Sequence, residues 1–584
     1  MSVLTALFEA HKRLASLGEM PRFGFANQDV HFFVEIDRSG RVVGAPQAFD
    51  HDSKGRIVPR NTAVPYFGGR SGQKAPPYFL WDNSAYVFGV TKKEGFDASR
   101  RFSDFRELHL SALSQSDDPG LIAVRRFLEQ WSPESYEQLG YPVETMDRNI
   151  VFRLTGAKQF VHETEAAAQA WSRLYVPDTI GDGMCLVSGV QAAIARIHPP
   201  IKTFENPARL VSFDKDNDAF SSYGHLLAEN APTGISAAFA YTAVLNHFLT
   251  RGSGHRIQIG DASTVFWADA SGQVAAGVEG LFSAMFGGED AGADDAAATK
   301  QIGVWLEMIR QGQVMAAVWP DVAEGVRFHV LGLAPNAARL SVRFHWEDDF
   351  GRLVTNYQDH LANMALDPPP RDSFPPLWFY LTELAVLGKR ENVPPNLPGD
   401  WMRAILTGQP YPLTLLATTL MRLRSDGDVN ALRVGILKSV LIRNLKVEVP
   451  VALDPMSQNK GYVLGRLFAV YEEIQRSALG GNVNATIKDK FYGAASATPQ
   501  KVFAVLDRGA ANHFAKLRKA SPGWAVNLEK LLTGITELME PGRDPIPVAL
   551  TSAEQAMFGI GYYHQRSEAF RKRETQTNNV EISE

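Results

Sequence analysis

The spacing of hydrophobic residues predicts strands mixed with helices in the first part of the chain. Residues 30–36 alternate between apolar and polar, the turn Asp37–Gly40 follows, and residues 41–43 begin a return strand, which together predict a hairpin. Further strands are predicted at 149–154, 209–213, 264–268, 327–333 and 340–346. Helical spacing predicts helices at 103–114, 121–131, 163–175 and 235–250.

Beyond residue 376 the hydrophobic spacing is almost wholly helical. Helices are predicted at 378–387, 401–406, 413–423, 429–443, 462–478, 499–519, 525–539 and 552–565. We therefore predict an α+β protein in which a mixed N-terminal domain of short sheets and helices (1–366) is followed by a proline-rich connection (367–376) and a C-terminal antiparallel helical bundle (377–570). The polar residues 571–584 predict a disordered tail.

Composition narrows the class of protein. The chain has 584 residues and a net charge of −5, and its one cysteine, Cys185, excludes an intrachain disulfide and a cysteine-based zinc site. No run approaches the roughly 20 apolar residues of a membrane span, and the N-terminus reads as an amphipathic helix. We expect a cytoplasmic protein without membrane contact.

Residues 54–106 are basic although the chain is acidic. They hold ten Lys and Arg against four Asp and Glu, a local charge of +6 (10 − 4), around the glycine-rich, aromatic segment 68–89. Such a sign inversion is typical of an anion-binding surface, and aromatic and amide side chains are suited to nucleic acid. A solvated loop is the alternative, and charge alone does not decide between them.

Known catalytic motifs do not fit the sequence. The segment 68–74 lacks the G-x-x-x-x-G-K-[ST] order of a phosphate-binding loop. Residues 214–218 resemble the start of a calcium loop but lack its glycine and its glutamate, and we expect residues 345–349 to be a strand end with solvated acids. These tests favour a binding protein over an enzyme, with no cofactor and no metal.

A second candidate nucleic-acid loop precedes an alanine-rich helix. It offers the side chains of Lys215, Ser221, Ser222, Tyr223 and Asn230. Hydroxyl and amide groups at a loop-to-helix junction suit phosphate contact. A capped, close-packed core helix explains the same residues, and both interpretations stay open.

Several long segments, in order along the chain, carry a family resemblance. They include PPYFLWDNSAYVFG (76–89), CLVSGVQAAIARIHPPIK (185–202), ENAPTGISAAFAYTAVLN (229–246) and FGIGYYHQR (558–566). In these segments the chain resembles the large subunit of the type I-C CRISPR surveillance complex (Cascade).

The resemblance implies a non-catalytic, crRNA-guided role. Such a subunit recognises the protospacer-adjacent motif on double-stranded target DNA, aids strand separation, stabilises the displaced single strand and recruits a helicase-nuclease. The implied partners are crRNA, both forms of DNA, the Cascade backbone, guide-end and small subunits, and the helicase-nuclease. The resemblance also implies an internal translation start, for which Met456 is the candidate, so that residues 456–584 are made as a separate small subunit.

Under this resemblance the basic block supplies two sets of candidate residues. For reading bases we predict Asn83, Lys74, Gln73, Arg70 and Asn61. For the DNA backbone we predict Arg56, Arg60, Lys92, Lys93, Arg100 and Arg101. The alternatives are a metal-dependent nuclease with a dispersed acidic site (Asp214, Asp216, Asp218 and Glu347) and a helical scaffold without nucleic-acid contact.

Overall fold

The computed structural model divides the chain into two compact units. It describes residues 2–67, 75–174, 179–201, 207–213, 225, 227–287, 296–322, 325–336, 339–480 and 485–581, without the side chains of 227, 296–299, 321 and 572–581. Unit 1 comprises residues 1–201 and 211–245, and unit 2 comprises residues 202–210 and 246–584. This division lies well before the proline-rich segment at which we predicted a domain connection.

Unit 1 combines helices with short strands. Its elements are α1 (Val3–Ser16), β1 (Phe25–Val30), β2 (Phe32–Ile36), β3 (Gln47–Ala48), β4 (Asp50–His51), β5 (Ile57–Val58), β6 (Arg60–Pro65), β7 (Trp81–Asn83), α2 (Ser84–Val87), α3 (Ala98–Ala112), α4 (Pro119–Gln130), α5 (Ser135–Gln138), β8 (Asn149–Leu154), α6 (Glu165–Leu174), β9 (Thr179–Met184), β10 (Gln191–Ala195) and α7 (Ile235–Leu249), whose last turns belong to unit 2.

A four-stranded sheet in the order β3-β2-β8-β7 organises unit 1. Its apolar strands β2 and β8 run parallel, so that Val34 lies opposite Phe152, and both side chains are buried. The predicted turn after β2 forms, because the Asp37 carboxylate accepts the N–H groups of Ser39 and Arg41. The predicted return strand shrinks to a single bridge between Ile36 and Val42.

Unit 2 begins with strands and continues as helices. Its elements are β11 (Arg256–Ile259), β12 (Ala262–Ala268), α8 (Gly272–Phe286), α9 (Ala296–Arg310), α10 (Met315–Val318), β13 (Arg327–Asn336), β14 (Arg339–Asp349), α11 (Phe350–Met364), α12 (Leu377–Leu384), α13 (Leu397–Thr407), α14 (Leu413–Asp426), α15 (Ala431–Leu445), α16 (Lys460–Leu479), α17 (Ile487–Ala497), α18 (Pro499–Ala520), α19 (Pro522–Thr536) and α20 (Ser552–Glu581). The predicted α+β class, with sheets early and helices late, is confirmed.

One hydrophobic core serves both the sheet and the helices of unit 2. It includes Phe266 and Trp346 from the antiparallel sheet β11-β12-β13-β14 and Trp401, Leu437 and Phe558 from the helices. The prolines at 368–370 therefore connect two parts of one core. The prediction of a strand at 209–213 is wrong, because within that range only Arg209 pairs, in a single bridge to Arg339.

Helices α16 and α20 approach each other closely because glycines face the contact. A Cβ atom on Gly465 would lie 2.1 Å from the Phe558 carbonyl oxygen, and one on Gly461 would lie 2.2 Å from that of Glu554. Helix α20 runs to Glu581, beyond its predicted end at residue 565 and through most of the tail predicted to be disordered. In the described part of the chain, no helix combines the length and apolar character of a membrane span.

Candidate nucleic-acid interface

A stack of aromatic rings packs against the residues that precede the segment 68–74. The Tyr78 ring stacks on the Trp81 ring at 4.5 Å and 7°, and on the Tyr66 ring at 5.5 Å. The Trp81 Nε1–H donates to the carbonyl oxygen of Pro65 at 2.7 Å. Tyr78, Phe79 and Trp81 are all buried, so in this conformation these rings do not project as a wedge between DNA strands.

The other end of the segment is held at the Ala75 carbonyl oxygen. The Tyr86 hydroxyl donates to it at 2.8 Å and the Arg101 Nη1 donates at 2.7 Å. Arg101 is 4% exposed, and its guanidinium lies over the rings of Tyr86 and Phe96 at 5.4 and 5.3 Å. Arg101 is therefore a structural anchor of the segment and not the exposed phosphate contact that we predicted.

Below the stack, His109 fixes an unusual backbone conformation. The Leu80 N–H donates to His109 Nε2 at 2.8 Å, and Leu80 has a φ of 63°, which a leucine seldom adopts. Since Nε2 accepts, the proton sits on Nδ1, which donates to the Phe105 carbonyl oxygen at 2.7 Å. Burial lowers the pKa of His109 to about 4, against the opposing hydrogen bond to Phe105. His109 is thus neutral at physiological pH.

Two strand pairings bring Asn83 and Asn61 to one polar edge, which we define as Asn61, Asn83, Arg148 and Asn149. Asn83 pairs with Asn149 across β7 and β8. The Asn149 Nδ2 donates to the Asp29 carbonyl oxygen at 2.8 Å, and Asp29 pairs with Asn61 across β1 and β6. The Asn83 Oδ1 caps α2 by accepting the Ala85 N–H at 3.0 Å, so its amide group is held in position.

Asp147 attaches a lysine turn to the polar edge. Its carboxylate accepts the Thr91 hydroxyl at 2.6 Å and the Lys92 N–H at 3.2 Å. The next residue, Arg148, is exposed, and its Nη1 lies 3.3 Å from His31 Nε2. Burial, followed by the charge of Arg148, lowers the pKa of His31, against the charge of Asp29. Lys92 and Arg148 therefore place positive charge beside the amides.

The other predicted phosphate contacts are exposed but differ in their partners. Arg56 Nε donates to the Asp52 carboxylate at 2.8 Å, which partly neutralises its charge. Arg60 lies 4.9 Å over the Phe49 ring, and Lys93 lies 6.0 Å over the Phe96 ring. Arg100 lies at the limit of an ion pair with Asp104, at 4.0 Å. Exposed contacts of this kind contribute little to stability, so these cations remain available to phosphate.

The predicted base-reading residues occupy two places. Arg70, Gln73 and Lys74 lie outside the described residues, in the segment whose ends are held at Pro65 and Ala75. Asn61 lies four residues before Pro65 on β6, a separation of about 13 Å at about 3.3 Å per residue. Along β6, the polar edge thus lies about 13 Å from Pro65, the anchored residue that precedes the segment 68–74.

The second candidate loop is described only at its end. Lys215, Ser221, Ser222 and Tyr223 lie outside the described residues, and the Asn230 Nδ2 donates to the His225 carbonyl oxygen at 3.1 Å. Helix α7 is a core helix, with Ala237, Ala238, Ala240 and Tyr241 buried. The buried Cys185 Sγ accepts the Gly234 N–H at 3.1 Å, which ties the β9–β10 hairpin to the start of α7.

Sequence reasoning missed Arg148 and Asn149 as members of the polar edge. Arg148 directly precedes, and Asn149 begins, a strand that was correctly predicted at 149–154. Their position beside Asn83 depends on the pairing of β7 with β8, residues that are more than sixty positions apart. A polar pair immediately before a buried strand was the available signal.

A comparison with protein families identifies the family of the chain. Residues 7–570 match the family model for CRISPR-associated protein (Cas_Csd1). The chain belongs to the Csd1 family. Csd1 proteins are large subunits of the type I-C Cascade complex, so the resemblance is confirmed. No curated protein matches the chain.

Membership of the Csd1 family establishes the chain as a CRISPR-associated Cascade subunit, which assembles with other Cascade subunits and with crRNA. The Csd1 family is a structural component of Cascade. Of the acids named for the alternative nuclease, Glu347 holds Arg327 at 2.8 Å, and Asp214, Asp216 and Asp218 lie outside the described residues.

Proposed function

We propose that this Csd1 protein reads the protospacer-adjacent motif on duplex DNA with the glycine-rich segment and the polar edge. It does no chemistry itself: it aids strand separation, stabilises the displaced strand and presents a surface to the helicase-nuclease. Base pairing with the guide reads the long target sequence, as in other RNA-guided effectors.

The observation that carries this proposal is the anchoring of Pro65 and Ala75, the residues on either side of the segment 68–74. Two donors hold the Ala75 carbonyl, and a buried indole holds the Pro65 carbonyl. A reader of base edges needs its side chains held within a fraction of an ångström, which a rigid stem supplies. Arg70, Gln73 and Lys74 stand between these two anchors and offer cationic and amide groups.

The two places divide the reading of a short motif between them. The separation of about 13 Å along β6 corresponds to about four base pairs of B-DNA at about 3.4 Å per pair. Bases are read by Asn83, Lys74, Gln73, Arg70 and Asn61, and phosphates are held by Arg56, Arg60, Lys92, Lys93, Arg100 and Arg148. Lys215, Ser221, Ser222, Tyr223 and Asn230 remain a proposed secondary contact.

Base reading and phosphate contact respond differently to mutation. Lys92→Ala is expected to weaken binding to every duplex alike and to lower the salt slope by about one unit. Lys74→Ala is expected to reduce discrimination between correct and altered motifs by about 1–3 kcal/mol. Asn83→Ser keeps a hydroxyl to cap α2 but removes the amide, so it separates reading from folding.

The test is binding of guide-loaded Cascade to duplexes that differ only in the adjacent motif, measured at several salt concentrations. Selective loss of discrimination in Lys74→Ala and Asn83→Ser, with uniform loss in Lys92→Ala, supports the proposal. Equal losses on all duplexes for all three variants contradict it. Target cleavage by the isolated protein with Mg²⁺ would instead favour the nuclease alternative.

We also propose that residues 456–584 are made separately as the small subunit. Met456 is 73% exposed in the segment before α16, and helices α16 to α20 follow it. This segment holds sixteen Lys and Arg against thirteen Asp and Glu, a net +3 (16 − 13), whereas the rest of the chain is −8 (−5 − 3). A basic helical product suits contact with the displaced strand.

Replacing the Met456 codon with that of leucine is expected to abolish the small product while leaving the full-length protein. The two bands are separated on a gel and identified by N-terminal sequencing. Persistence of the same small product after the replacement would refute the internal start.

A further inference from the structure

Three side chains with metal-binding atoms converge on one face of the sheet in unit 2. His329 on β13 lies opposite Glu347 on β14, and His345 lies two residues before Glu347. Because side chains alternate along a strand, all three point to the same face. From the sequence we expected no metal site, since no second histidine stands near His345 along the chain. The pairing of β13 with β14 places a second histidine, His329, beside His345, although it lies sixteen positions earlier in the chain.

The donor atoms are close enough to share one ion. One ligand atom from each of His329, His345 and Glu347 lies within 4.8 Å of the others. The His329 Nδ1 is 4.0 Å from the Glu347 Oε2. In tetrahedral geometry two ligands of one Zn²⁺ stand about 3.3 Å apart, since each bond is about 2.0–2.1 Å long. Side-chain adjustments of about 1 Å, roughly 1.5 Å at most, therefore close the site.

His329 is prepared as a ligand by its other nitrogen. The His329 Nε2 lies 3.0 Å from the Asp269 Oδ2, so Nε2 carries the proton and Nδ1 presents its lone pair. The side chain is 0% exposed, and Nδ1 has no hydrogen-bond partner. Trp267 stacks on the imidazole at 4.7 Å and 9°, which fixes the ring plane. A carboxylate behind a histidine is the usual second layer of a metal site.

His345 offers a second buried nitrogen. Its Nε2 is inaccessible to solvent and has no hydrogen-bond partner. Burial, followed by the charge of His329, lowers the pKa of His345, against the charge of Glu347. Buried polar atoms without partners are destabilising, and two such nitrogens beside one carboxylate call for an explanation.

We propose that His329, His345 and Glu347 bind one divalent transition-metal ion of the Zn²⁺ class, with Asp269 orienting His329. Two imidazoles and one carboxylate favour such an ion over Mg²⁺ or Ca²⁺, which prefer oxygen donors. The ion's two positive charges, together with that of Arg327, face the two negative charges of Glu347 and Asp269. Arg327 Nη1 donates to Glu347 Oε1 at 2.8 Å, and the other oxygen, Oε2, lies 4.0 Å from His329 Nδ1. The ion links β13 to β14.

The site is tested on the full-length protein, stripped of metal with a chelator and titrated calorimetrically with Zn²⁺ alone. The wild type is expected to bind one equivalent and to gain thermal stability. His345→Gln is expected to lose at least 100-fold in affinity, and Asp269→Asn, which spares the ligands, about 10–100-fold. His513→Gln, a histidine on α18, is the matched control and is expected to bind like the wild type.

A second readout identifies the ligands independently of affinity. Co²⁺ in place of Zn²⁺ is expected to show the strong visible absorption of a four-coordinate ion in the wild type and to lose it in His345→Gln. Absence of stoichiometric Zn²⁺ binding by the folded wild type overturns the proposal. Equal Zn²⁺ affinity of the wild type and of folded Asp269→Asn and His345→Gln overturns it as well.

Discussion

The contrast between Arg100 and Arg101 provides a sharp test of the structure. Both arginines begin α3 and carry the same charge, and the sequence assigned both to the DNA backbone. The Arg101 side chain is buried and donates to the Ala75 carbonyl oxygen, whereas the Arg100 side chain is 47% exposed. Replacing each by methionine removes the guanidinium but keeps most of the aliphatic volume.

The contacts of Arg101 set the size of the effect. A hydrogen bond from a charged donor contributes about 1.5–3 kcal/mol, and each cation–π contact with Tyr86 and Phe96 contributes about 0.5–1 kcal/mol. Removing a buried cation also recovers part of its desolvation cost. We expect Arg101→Met to destabilise the stem by about 2–3 kcal/mol, after this offset. For Arg100→Met we expect a change within about 0.5 kcal/mol, as for an exposed site.

Hydrogen–deuterium exchange measures this local stability directly. For Arg101→Met, amides in the anchored stem, 60–67 and 75–83, are expected to exchange about 30–150-fold faster, since about 1.4 kcal/mol corresponds to tenfold. Arg100→Met is the control, and its exchange should match the wild type. Equal exchange in the two variants would refute the assignment of Arg101 as the anchor.

Two further predictions concern packing and acid stability. Gly465→Ala places a Cβ atom 2.1 Å from the Phe558 carbonyl oxygen and is expected to destabilise the α16–α20 contact by about 3 kcal/mol. In the control Gly509→Ala, the new Cβ atom meets nothing within 4 Å, and the helix is expected to gain about 0.5–1 kcal/mol of stability. Equal melting temperatures of the two variants would contradict this prediction. Burial lowers the pKa of His109 to about 4, whereas the unfolded value is about 6.5, so the unfolded chain binds the extra proton first. The free energy of unfolding of unit 1 is therefore expected to fall by about 3 kcal/mol as pH falls from about 6.5 to 4. His109→Gln should flatten this pH dependence of unfolding, and an unchanged profile would argue against it.

Much of the fold is local in origin and could be predicted. The predicted helices of the bundle fall on α12 to α20, apart from α17, because apolar residues repeat at helical spacing. The partner of β2 could not be predicted, because it pairs with β8 more than a hundred residues later. The packing of the unit 2 sheet against the later helices could not be predicted either, since it joins one continuous core across the prolines.

In the candidate site, some placements could be predicted from the sequence and others could not. Arg101 is in helical phase with the buried Phe105 and His109, so its burial could be predicted from spacing, while Arg100 is in phase with the partly exposed Asp104. The convergence of Asn61 with Asn83 was not readable, because it depends on two separate strand pairings. Residues 70, 73 and 74 remain predictions from sequence.

The most direct test of the proposed function is the motif dependence of DNA binding by Cascade that carries this Csd1 protein. Guide-loaded complexes with wild-type or Lys74→Ala protein are bound to duplexes with a correct or an altered adjacent motif, all at one salt concentration. We predict that the wild type prefers the correct motif and that Lys74→Ala loses about 1–3 kcal/mol of that preference while still binding. Retention of the full preference by Lys74→Ala, Asn83→Ser and their combination would contradict motif reading by this region.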